Sequence, residues 1–312
     1  SLEYKLGKCL VKGYCGLYNA DCMKSHKEVG DVIDSLIKNI VKNLSEELGY
    51  YLESVTLIGS YTIGKISLER PNVNFLIFTK PNVSAKEYLK IGEIFYSVSK
   101  KYLKYFSVKI DSPPFRTGFP IGNKGLQLVL SPNVLSIVQK NDNPPFGVPL
   151  NVLEGMKSTR KIVFGSDPLK DVNVKHTKKD VIKWAFFDIG IIYRNQLIRA
   201  PLSYDISEYL NILADESLEI GKVALMWGTE IFLSEDDWKK GRHIELIKNK
   251  EEMVKFYNSI NEKLGRDAVV VLDARLNFHQ YKTNKVKAYK LYNSAYNLIT
   301  AVFFKILEEM KK

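Results

Sequence analysis

Apolar residues recur along this chain with two periods, and the change from one to the other outlines its organisation. Over residues 28–48 the positions Val32, Leu36, Ile40 and Leu44 repeat at helical spacing, which predicts an amphipathic helix. Residues 54–58 are short and mostly apolar and run into Gly59-Ser60, so a strand ending in a turn is expected. A loop over 61–71, with Gly64 and Pro71, leads to residues 73–79, where alternation and β-formers predict a second strand. A helix is expected over 84–104, a third strand over 106–111, and a further strand near 126–130. Asn143-Pro144-Pro145-Phe146-Gly147 and Phe164-Gly165-Ser166-Asp167-Pro168 read as turns and crossover loops. Past about residue 176 the helical period takes over, with helices expected over 178–198, 205–227, 250–264 and 285–310. An α+β domain over 28–172 and a helical domain over 173–312 follow, preceded by an extension over 1–27.

Composition agrees with two packed domains. The chain has 312 residues, and its 45% hydrophobic content can fill two cores. Uninterrupted apolar runs fall short of the ~18 residues a membrane helix needs, so no membrane partner is expected. Residues 1–10 lack the apolar centre of a signal peptide, and a cytoplasmic location is the default. The net charge of +11 suits a polyanionic partner, with RNA favoured, or a nucleotide; a general lysine bias accounts for it equally well. The densest basic and aromatic stretch is 273–292, which includes Lys285, Tyr289 and Lys290. Cys9, Cys15, Cys22 and His26 have a donor set that zinc accepts, but no CxxC pair, so a disulfide with one leftover thiol, or three buried thiols, fits better.

The order helix, strand, Gly59-Ser60, loop, alternating strand resembles the nucleotidyltransferase superfamily, which includes β-type polymerases, poly(A) and CCA-adding enzymes and antibiotic nucleotidyltransferases. The similarity covers about residues 28–170 and continues in outline into the helical half. The resemblance implies a mixed-sheet domain followed by a helical one, with a ligand cleft between them. It also implies a nucleoside triphosphate as ligand and Mg²⁺ as cofactor; no other cofactor is predicted. In that pattern the strand after the Gly-Ser turn carries two carboxylates at i and i+2. Alternation aims both at one site, where a third acid from a neighbouring strand completes a two-metal centre.

Here Asn72 and Asn74 occupy the carboxylate positions. A neutral amide is a poor ligand for a hard dication, so Mg²⁺ is expected to be held weakly, and no residue is assigned as a metal ligand. The amides read either as degraded ligands, as deliberately replaced aspartates, or as polar residues without that history. Gly59, Ser60, Asn72, Asn74 and Lys109 are the nucleotide-binding candidates; Lys109 could meet phosphate directly. Asp111 is the one catalytic candidate, the remaining acid on which transfer would depend. Three functions follow: an impaired nucleotidyltransferase-fold protein that binds nucleotide or nucleic acid, alone or as a subunit beside a protein partner; an active transferase on RNA or a small acceptor, using Asp111 or Glu69; or a basic nucleic-acid-binding protein without catalysis.

Overall fold

The computed structural model describes residues 26–67, 69–111, 120–121, 126–197 and 206–312. Cys9, Cys15 and Cys22, and the side chain of His26, lie outside the described residues. The chain divides into two compact units. One comprises the residues up to Val148 together with Glu154–Val172; the other comprises Pro149–Leu153 and Asn173–Lys312.

The first unit is built on a six-stranded mixed sheet. Its strands are β1 (Leu52–Ile58), β2 (Asn72–Thr79), β3 (Ser107–Ile110), β4 (Pro120–Ile121), β5 (Gln127–Ser136) and β6 (Lys161–Gly165), in the order β4-β3-β5-β2-β1-β6. β1 pairs antiparallel with β2 and β6, whereas β5 runs parallel to both β2 and β3. Helices α1 (His26–Leu48) and α2 (Ala85–Lys100) pack on one face. The buried stripe of α1 runs through Ile33, Leu36, Ile40 and Leu44; Val32 is only half-buried, one position off the stripe expected from sequence. Val55, Val73, Phe75, Ile77, Leu128 and Leu130 meet these helices from the sheet. Phe75 and Phe95 close the layer edge to face, with ring centroids 5.0 Å apart.

Local chemistry sets the element ends. Ser84 caps α2 and forms a capping box with Glu87, whose carboxylate accepts from the Ser84 N–H at 2.9 Å. β5 continues to Ser136, well past the Leu130 limit expected from sequence, and it does so across Pro132. Val129 N–H donates toward β2, to Pro71 O, so residues 131, 133 and 135 also face that strand. The backbone of Pro132 therefore faces the β3 side. β3 pairs only as far as Leu130, so no ladder bond is lost where proline has no N–H to give. Elements absent from the sequence reading are α3 (Leu150–Thr159) and the two edge strands, β4 and β6.

The second unit is helical. It contains α4 (Lys178–Phe187), α5 (Ile206–Ile231), α6 (Glu235–Lys239), α7 (Arg242–Lys248), α8 (Lys250–Ile260), α9 (Glu262–Leu276), α10 (Phe278–Thr283) and α11 (Lys285–Glu309). α5 and α11 pack along one another at the centre, around Trp227, Tyr257, Leu298 and Val302. A π-helical stretch, Asp188–Tyr193, interrupts the helix expected over 178–198. The helix expected over 250–264 is two helices. Asn261 is extended (φ −162°, ψ 131°), and its side chain caps α9 by accepting from Lys263 N–H at 2.8 Å.

Candidate functional site

Strand alternation gives the sheet two unlike faces. The face toward α1 and α2 is apolar, as above. The opposite face carries Asn72, Asn74, Leu76 and Phe78 from β2, and Val129 and Ser131 from β5. β3 adds Lys109, in register with Val129, and then Asp111, whose N–H donates to Leu130 O at 2.8 Å. Asn72 and Asn74 are half-buried, while Ser131, Lys109 and Asp111 are buried. Arg70, just before β2, is buried too.

The Gly-Ser turn lies against this row. Gly59 follows Ile58, which pairs with Asn74, and adopts φ +84°. A Cβ added at Gly59 would sit 3.0 Å from Asn74 Nδ2, so glycine serves both the left-handed backbone and the close approach. The turn closes through Lys65 N–H to Ser60 O at 2.8 Å, with Gly64 at φ +68°. The end of α3 fixes it from behind. Thr159 Oγ1 accepts from Gly59 N–H at 2.9 Å, and Thr62 Oγ1 donates to Gly59 O at 2.7 Å. Tyr61 Oη donates to Asp34 on α1, and burial beside that carboxylate pushes the phenol well up from its ordinary value.

Gly59, Asn72 and Asn74 thus lie together, and Lys109 and Asp111 share their face of the sheet. Asp111 is not on the strand next to β2, because β5 intervenes. At about 4.8 Å per strand, its Cα is about 10 Å from that of Asn74. The residue beside Asn74 on the neighbouring strand is Ser131, whose hydroxyl donates to Asn72 Oδ1 at 3.2 Å. Sequence reasoning missed Ser131 because it ended this strand at residue 130; the alternation Val129, Ser131 opposite Leu128, Leu130 was the available signal.

This donor set does not fit a two-metal centre. The three positions that converge offer two amides and a hydroxyl, and the nearest acid on this face shares it with the Lys109 ammonium. Hard dications need anionic oxygens at short range. Among the described residues no group of three His, Cys, Asp or Glu side chains could hold a metal ion.

The other basic side chains of the sheet unit differ in their surroundings. Arg160 Nε donates to both oxygens of Asp167, at 3.1 and 2.9 Å, which secures the turn after β6. Lys80 Nζ donates to Tyr50 O at 3.1 Å. Lys65 is exposed. The basic and aromatic stretch 273–292 does not form one surface. Tyr281 is buried, with its hydroxyl donating to Asp273 at 2.7 Å, and Arg275 is half-buried, with its guanidinium pushed down by desolvation.

No protein-family model matches the chain, and no curated protein matches it in sequence. Among solved structures it is similar to spectinomycin adenyltransferase AAD(9) from Enterococcus faecialis, determined with ATP and spectinomycin. The TM-score is 0.51 at 12% identity, over 85% of this chain and 98% of that one. No helix among the described residues is long and apolar enough to cross a membrane. The chain therefore has the nucleotidyltransferase fold, an α+β sheet unit followed by a helical C-terminal region.

Proposed function

We propose that this chain binds a nucleoside triphosphate on the Asn72, Asn74 face of its sheet and is impaired in metal-dependent transfer. The observation that carries this reading is the neutral trio Asn72, Asn74 and Ser131, lying against the Gly59 turn where the fold would otherwise concentrate carboxylates. Removing negative charge there lowers metal affinity and leaves a face that repels phosphate less. Gly59 N–H is already taken by Thr159, so phosphate contact falls to the next residues of the turn, Ser60 first, and to Lys109. The similar solved structure holds ATP and a small acceptor, which favours ATP over a polymeric ligand.

The competing reading is an active transferase that uses Asp111. It is favoured only by the presence of that buried acid on the same face. Incubation with each labelled nucleoside triphosphate, Mg²⁺ or Mn²⁺ and candidate acceptors separates the two. The proposal expects retention of nucleotide without transfer. Turnover that disappears in Asp111→Ala would establish the competitor.

A further inference from the structure

A groove of about 970 Å³ lies between α9 and α11, wholly within the helical unit and remote in sequence from the nucleotide face. Its apolar part is supplied by Val269, 49% exposed, and Val286, 78% exposed. Its rim is basic, with Lys263 and Arg266 from α9 and Lys285 and Lys290 from α11. Arg266 is paired with Glu262 at 2.6 Å, but Lys285 and Lys290 pair with no carboxylate among the described residues. The one acid in the lining, Asp267, is turned into the packing, where it accepts from Ser294 Oγ at 2.7 Å and Asn297 Nδ2 at 3.0 Å. Exposed valines flanked by cations that have no carboxylate partner are complementary to a partner with the opposite pattern.

We infer that this groove docks an acidic amphipathic helix of a partner protein. The α11 side runs from Lys285 to Ser294, about 14 Å at 1.5 Å per residue, which matches two to three turns of a bound helix. Aliphatic anchors at i and i+4 would cover Val269 and Val286, while glutamates or aspartates on the flanks meet the two lysines. Single-stranded RNA fits less well, because the groove offers aliphatic side chains where bases need aromatic faces. Its one tyrosine, Tyr289, has its hydroxyl 3.1 Å from that of Tyr209 and Lys285 Nζ 5.9 Å from its ring. A second copy of this chain is disfavoured by a net charge of +11 meeting a basic rim.

The test is selection of a random 12-residue peptide display library on the full chain, with the Val286→Glu/Lys290→Glu double variant as counter-target. Both positions are exposed, so the variants are expected to fold. The expected winners are acidic peptides with aliphatic residues at i, i+4 spacing, whose affinity falls at least ~10-fold in Val286→Glu and in Lys290→Glu separately. Three outcomes overturn the inference: no enrichment over the counter-target, winners that are basic or lack aliphatic anchors, or a labelled 12-nucleotide RNA that binds the wild type and displaces the winners.

Discussion

Restoring the two missing charges is a quantitative test of what Asn72 and Asn74 replace. In Asn72→Asp/Asn74→Asp the carboxylates stand two residues apart on one strand face, about 6.6 Å at 3.3 Å per residue. At an effective dielectric of ~20, their repulsion is about 2.5 kcal/mol. Lys109 stands two strands from residue 72 and Asp111 two strands from residue 74, each at about 10 Å. Their contributions, about 1.7 kcal/mol apiece, have opposite signs and offset. Without metal the double variant is therefore expected to lose about 2.5 kcal/mol, or ~5–10 °C in the Tm of a unit this size. A dication between the carboxylates removes that repulsion, and ligand at 100 times its Kd adds about 2.7 kcal/mol, so Mg²⁺ should restore the melting temperature. The assay is calorimetric melting in EDTA and across a Mg²⁺ titration, with the wild type alongside. A folded double variant whose Tm follows Mg²⁺ no more than the wild type does would refute the idea that these amides occupy metal-ligand positions.

Further outcomes follow from single residues. Gly59→Ala places a side chain at φ +84°, costing about 1–2 kcal/mol, and pushes on Asn74; ATP affinity by calorimetry should fall at least ~10-fold. Gly64→Ala is the matched control, because it takes a left-handed residue into open space; an equal loss of affinity there would contradict the specific role of Gly59. Burial raises Asp188 from 3.8 to about 6, so its charged form destabilises the folded state increasingly as pH rises from about 4 through 6. Asp188→Asn should then be more stable than wild type by about 1–2 kcal/mol at pH 8, after allowing for partial solvent screening, with the gain vanishing by pH 4. A pH-independent difference in urea melts would count against that assignment. Phe75→Ala removes a fully buried ring packed on Phe95 and should cost about 3–5 kcal/mol; a loss under about 1 kcal/mol would mean the core is not packed as described.

The parts of the fold legible in the sequence are those where one period runs uninterrupted. α1 and α11 announce themselves because each buries one stripe, β2 because its first half alternates, and β1 because it is short, apolar and ends at Gly59-Ser60, where Gly59 adopts φ +84°. Legibility fails where a side chain is excused from its usual rule by its neighbours. Pro132 reads as a strand breaker, yet it lies beyond the end of β3, where no partner needs its N–H. The strand expected near 126–130 ends before this proline and leaves out Ser131, the third member of the neutral trio. Of β6 the sequence marks only Phe164-Gly165, as the start of a turn; pairing to β1 holds Lys161–Gly165 in the sheet, and no local pattern shows that pairing. Asp111 looked adjacent to the asparagines because sequence order does not reveal that β5 inserts between β3 and β2.

ATP titration of the wild-type chain by isothermal calorimetry, in EDTA and then in Mg²⁺, with candidate hydroxyl and amine acceptors added and pyrophosphate release followed in the same samples, tests whether nucleotide binding is separated here from metal-dependent transfer. Binding in EDTA that Mg²⁺ strengthens little, with no pyrophosphate released, is the predicted result. ATP binding that requires Mg²⁺ and proceeds to pyrophosphate release would contradict it.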